Sequence, residues 1–273
     1  MKNKSTLLFV VLTFVITWSV EIPVALVKYG YLAIKIPKGL QTLSTLAPGM
    51  AALLITALLP GKNGIAKLLK PLFQWRIGLK SYAFIFGTGI LLPFLTLLIF
   101  SVVSGQPIQI EPATSLLFYL AILLFFSPLW EEIGWRGFLL PRLQLRYSAF
   151  HASLIIGIIW GLWHLPIILA INPYGDKSII YFLFIFLGCI AISILQTSIF
   201  NITKGSLLAC VLLHDTINAS AAYFYSGLSK DEFGPFKIFT VFLILIALVI
   251  YIKTKGKLYF SNTHSEVLRP HIN

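Results

Sequence analysis

Acid is what this sequence has least of. Nine Asp and Glu stand against 21 Lys and Arg, and charged residues make up only 11% of the 273 positions. An ordinary soluble domain carries roughly a quarter. With 58% hydrophobic residues and a mean hydropathy of +0.90, that shortage excludes a water-soluble globular chain. Cysteine is almost missing too. Cys189 and Cys210 both sit in apolar runs, which points away from a disulfide framework or metal pair and toward two small buried hydrophobes. They say nothing of redox compartment. No internal repeat or low-complexity block occurs, and no Ser or Cys stands beside a base as an activated nucleophile. The formal charge of +12 invites a nucleic-acid reading. However, the Lys and Arg residues lie in short loops between apolar runs, where positive charge sets membrane orientation. No nucleic-acid partner is expected.

What is present is a series of apolar runs. They predict an all-α, polytopic membrane protein of about eight transmembrane helices, near 7–27, 43–59, 82–103, 115–140, 152–171, 179–200, 206–223 and 236–252. The first is expected to stay uncleaved, since Trp18, Glu21 and Pro23 follow where a signal peptide needs small residues. The fourth exceeds one simple crossing of ~20 residues, and Ser127-Pro128 is expected to interrupt or kink it. The basic loop 61–80 holds an amphipathic middle at 65–70, expected on the membrane surface. Breaks are read at 104–107 and 172–175. We read 1–273 as a single intramembrane domain with its core at about 115–223 and a flexible cytoplasmic tail at about 254–273. With the N-terminus inside, fifteen of the 21 Lys and Arg face inward; the others are Lys28, Lys35, Lys38, Lys177, Lys230 and Lys237. The positive-inside rule then places both termini in the cytoplasm.

Against this background the ionisable groups at membrane depth stand out, because they are costly there and as a rule paired or functional. Glu131, Glu132 and Arg136 fall within six residues. On a helix Glu132 and Arg136 are i and i+4, the spacing of an ion pair, while Glu131 lies about 100° round. One glutamate is thus structural and the other free for chemistry; the bland alternative is that both brace the fold. His164 lies in the run 160–166 and, alone, could be an ordinary core histidine. His214 and Asn218 share a helix face, where interhelical hydrogen bonding is the bland role. Asp215 receives no role, and Glu21 is read as an interfacial group. Together a carboxylate, two histidines and an asparagine from three spans predict one buried wet cavity. A carboxylate with a histidine can deprotonate water, and an imidazole with an amide can stabilise an oxyanion. Water attack, with or without a metal, is the chemistry these residues suit.

The order Glu-Glu-x-x-x-Arg, aromatic-x-x-x-His and His-x-x-x-Asn resembles the CPBP family of intramembrane proteases, which includes type II CAAX prenyl endopeptidases and members linked to bacteriocin immunity. The stretches that carry it are 131–143, 160–166 and 214–218, within about 116–222. One departure is visible: the second motif usually opens with Phe, and Trp160 stands there. Trp keeps an aromatic packing body, so no harm to activity is expected. The resemblance implies that Glu131 with His164 activates water, that His214 and Asn218 hold the oxyanion, and that Glu132 pairs with Arg136. It leaves a metal open. Glu131, His164 and His214 could make a three-ligand Zn²⁺ site, but His-Glu-x-x-His spacing is absent and a metal-free reaction is favoured. The implied partners are a peptide or lipidated protein substrate and the lipid bilayer. A C-a-a-X tail exists as substrate only where prenylation does, and the short loops suit a bacterial cell-membrane protein. Two other readings are weighed: a non-catalytic immunity or scaffold protein of the same fold, and a proton-coupled transporter.

Overall fold

The computed structural model describes residues 2–37, 39–60, 62–108, 110–171, 177–225 and 233–260. Among them the only regular elements are helices. We label them α1 (Lys2–Lys28), α2 (Leu40–Ser44), α3 (Ala47–Leu58), α4 (Gly64–Leu69), α5 (Leu79–Ser104), α6 (Ala113–Phe126), α7 (Pro128–Gln144), α8 (Ala149–Ile171), α9 (Ser178–Ile202), α10 (Leu207–Tyr225) and α11 (Phe233–Thr254). By length and composition α1, α5, α8, α9, α10 and α11 can each cross a membrane, and α6 with α7 makes a seventh, broken crossing.

The remaining apolar run, near 43–59, is shorter than expected of a span. It divides into α2 and the 12-residue α3. At 1.5 Å per residue α3 covers only about 18 Å of a ~30 Å hydrocarbon core. Its function is to brace α7. A Cβ on Gly49 would lie 2.8 Å from the Trp130 carbonyl oxygen, and one on Gly134 would lie 2.7 Å from the Pro48 carbonyl carbon. The two backbones touch because neither glycine carries a side chain, the usual device where helices pack without water to drive them together.

The predicted break at Ser127-Pro128 is present, and the two halves meet at 41°. Ser127 leaves the helical region (φ −145°, ψ −78°), and Pro128 opens α7, where its missing N–H costs nothing. The freed Phe126 carbonyl accepts from Thr45 Oγ1. Within α7, Ile133–Leu139 widens into a π-helical turn, a feature common at functional sites. Its bulky side chains form the aromatic heart of the bundle. Trp135 meets Phe9 edge-on at 5.4 Å and Trp163 at 6.3 Å, and Phe138 stacks on Phe9 at 5.0 Å.

Glu21, read as an interfacial group, is buried within the protein, because α2 folds over it and supplies Gln41 Nε2 at 2.9 Å and Ser44 Oγ at 2.5 Å. In the basic loop α4 buries Leu68, while Phe73, Trp75 and Leu79 beyond it are exposed. After α11 the chain to Phe260 packs back. Leu258 is buried and its carbonyl accepts from Asn201 Nδ2 at 2.9 Å. The break read at 172–175 and the tail beyond 260 lie outside the described residues.

Candidate active site

Two neighbouring glutamates near the start of α7 face different surroundings. Glu132 turns into protein. Its Oε1 accepts from Arg136 Nη1 at 3.0 Å, the i to i+4 pair, with both side chains at 0% exposure. The same oxygen accepts from His214 Nδ1 of α10 at 2.8 Å. Glu131 turns the other way. Its Oε1 accepts from Ser127 Oγ at 2.6 Å and its Oε2 from the indole Nε1 of Trp160 at 2.7 Å.

Glu131 also lines a cavity of about 220 Å³, shared with His164 of α8 and with His214 and Asn218 of α10. The four candidate catalytic residues thus come together from three helices, and Glu132 is absent from the lining. The rest of the wall is largely apolar, with Ile167, Ile185, Ile192, Phe236, Phe239 and Leu243. It therefore holds a few polar groups in a greasy chamber, the usual composition of a small-molecule binding site.

The histidine tautomers follow from their partners. His164 sits where α8 loosens before Pro166. Its backbone N–H bonds Gly161 O at 3.2 Å instead of the carbonyl four residues back. That Trp160 carbonyl receives His164 Nδ1 at 2.8 Å. A carbonyl only accepts, so Nδ1 carries a proton, and in the neutral ring Nε2 keeps its lone pair. His214 likewise donates from Nδ1 to the Glu132 carboxylate, leaving Nε2 for the cavity.

Two residues of the site were not legible as such. Ser127 was read only as a helix breaker, although a hydroxyl four residues before Glu131 is at contact spacing. Trp160 was read as packing. A buried indole N–H usually finds an acceptor, and that rule was the available signal. Its ring also carries the Arg136 guanidinium at 4.8 Å and meets the His214 ring edge-on at 5.1 Å.

Glu132 Oε2 and Arg136 Nε and Nη2 are buried with no protein partner, which marks places for ordered water. Asp215 is buried with Oδ1 unpartnered and does not line the cavity. Both cysteines are buried and unpaired; Cys189 lines the cavity, with Sγ 3.7 Å from His164 Nδ1. The hypothetical metal set Glu131, His164 and His214 does not gather as ligands. Among the described residues no three His, Cys, Asp or Glu side chains are placed to hold an ion.

Every one of these polar residues except Glu21 lies in one stretch that can be compared with known proteins. Residues 113–220 match the Rce1-like type II CAAX prenyl endopeptidase family. The resemblance read from the three motifs is thereby borne out. A curated relative, CAAX prenyl protease 2 of Methanococcus maripaludis, is 32% identical over 142 residues, covering 50% of each chain. The aligned stretch thus spans half the length of that relative. The Rce1-like stretch runs from α6 to α10 and contains Glu131, Glu132, Arg136, His164, His214 and Asn218.

Proposed function

We propose that the chain is an intramembrane endopeptidase of the CAAX prenyl type, hydrolysing a peptide bond in a lipidated, membrane-associated substrate. The observation that carries this reading is the division of labour between the glutamates: Glu131 lies on the cavity with His164, His214 and Asn218, and Glu132 lies behind it. In the proposed reaction Glu131 takes a proton from water held against His164 Nε2, and the oxygen attacks the scissile carbonyl carbon. The oxyanion forms beside Asn218 and His214. For His214 to donate from Nε2 while Nδ1 stays on Glu132, the ring carries two protons, and Glu132 supplies the counter-charge. The tetrahedral intermediate then collapses, the C–N bond breaks, and the Glu131 proton passes to the leaving amine. The apolar wall suits a hydrocarbon anchor, in keeping with the relative's name.

A reconstituted protein offered a farnesylated C-a-a-X peptide and its unprenylated twin tests this. Cleavage of the first, identified by product mass and much faster than of the second, is the expected result. A folded protein that cuts neither sinks the reading.

No step is routed through a metal: among the described residues no three His, Cys, Asp or Glu side chains are grouped to hold an ion. Dialysed protein is expected to carry no stoichiometric zinc and to keep its rate in chelator. One tight metal per chain, with activity lost on its removal, would give Glu131 the role of ligand or metal-assisted base.

With α3 too short to span, α1 alone separates the N-terminal end from the 61–80 loop, so the two lie on opposite faces; the charge asymmetry supports cytoplasmic placement of that loop and of the end after α11. Lys70→Cys and Lys255→Cys should resist a membrane-impermeant thiol reagent in intact cells and react after permeabilisation. Labelling of either from outside reverses the topology.

A further inference from the structure

We propose that Trp160 is a positioning residue whose indole N–H holds the Glu131 carboxylate in place on the cavity wall; this rests on Glu131 being the base. A carboxylate on a flexible side chain must be held still to take a proton from one particular water, since a misplacement of about 1 Å can cost 10²-fold. Two groups hold this one. Ser127 contacts Oε1 at 2.6 Å, but it is half-buried at the helix break and its hydroxyl can turn to other acceptors. The Trp160 N–H reaches Oε2 at 2.7 Å and has no such freedom. Its ring is buried, lies under the Arg136 guanidinium, and abuts the His214 ring.

The same residue presents its carbonyl to His164 Nδ1 at 2.8 Å. Trp160 therefore bonds to both members of the proposed water-activating pair, one through its side chain and one through its backbone. An indole N–H is a donor only, so it neither takes nor gives the reaction's proton. Its effect passes through the carboxylate.

Trp160→Phe isolates the N–H. The expected result is a fall in kcat of about tenfold, the low end for a lost hydrogen bond to a charged group. KM should stay within about twofold, and melting in detergent should be near wild type. Trp160→Leu, which also loses the ring, should be at least as slow and melt earlier. In a Glu131→Gln background, Trp160→Phe should remove nothing further from the residual rate. An unchanged kcat in Trp160→Phe overturns the proposal. So does an equal loss in both backgrounds, because the effect would then bypass the carboxylate.

A second readout needs no activity. Six tryptophans give six indole resonances in ¹⁵N-labelled protein, and Trp160→Phe identifies the Trp160 signal by its loss. That signal should move upfield when Glu131 is replaced by Ala. If wild-type protein cleaves no peptide, the functional reading fails on its own. A resonance that ignores Glu131→Ala would overturn the positioning proposal in either case.

Discussion

Glu131→Gln should leave a folded protein that no longer turns over its substrate. The amide keeps the size of the carboxylate and can still accept from Ser127 Oγ and present a group to Trp160, so the cavity wall remains. What it loses is the ability to take a proton. A general base is typically worth ~10²–10⁴ in rate, and the loss should appear in kcat with little change in KM, because in the proposed reaction Glu131 acts on water and not on substrate binding. Melting in detergent should stay close to wild type, for Glu131 has no cationic partner to strand: its two partners are a hydroxyl and an indole. The measurement pairs thermal denaturation with cleavage of a reporter peptide.

Glu132→Gln should do the opposite. Its Oε1 serves both Arg136 and His214, and two further nitrogens of the Arg136 guanidinium have no protein partner. Removing the negative charge leaves a cation at 0% exposure with little beyond the Trp160 ring to offset it. Breaking one side of a buried pair costs roughly 3–5 kcal/mol. For a chain of this size that corresponds to a melting temperature lower by about 6–20 °C. Adding Arg136→Met removes the stranded charge, and the double variant should recover most of that stability while remaining slow, since His214 has lost its counter-charge. If Glu131→Gln unfolds the protein and Glu132→Gln stays stable but inactive, the two roles are reversed.

Much of this was legible because it is local. The pairing of Glu132 with Arg136 follows from four residues of helix, and the break at Ser127-Pro128 follows from a missing N–H. The apolar runs located the long helices to within a few residues. What escaped is set by contacts between distant segments. Nothing in the run 43–59 says that α3 stops short to press Gly49 against Trp130. Nothing near Glu21 says that α2 will fold over it. The bond from Trp160 to Glu131 joins positions 29 apart, and it depends on how α8 is rotated against α7. His214 and Asn218 were expected to act as one face. Both do line the cavity, but His214 is also tied by Nδ1 to Glu132, a contact no spacing rule predicts.

His214 follows Glu132 by 82 residues in the chain. A ribosome moving at about 5–20 residues per second needs roughly 4–16 s to cover that distance. Through that interval the second glutamate has Arg136 but lacks the imidazole that completes its surroundings, and the first awaits Trp160. α7 is therefore expected to leave the insertion machinery less readily than an ordinary hydrophobic segment until α8 and α10 arrive to enclose it. A chain stalled before α10 would carry an unsealed pair of carboxylates, and its α7 should cross-link to the insertion machinery for longer than in the full chain.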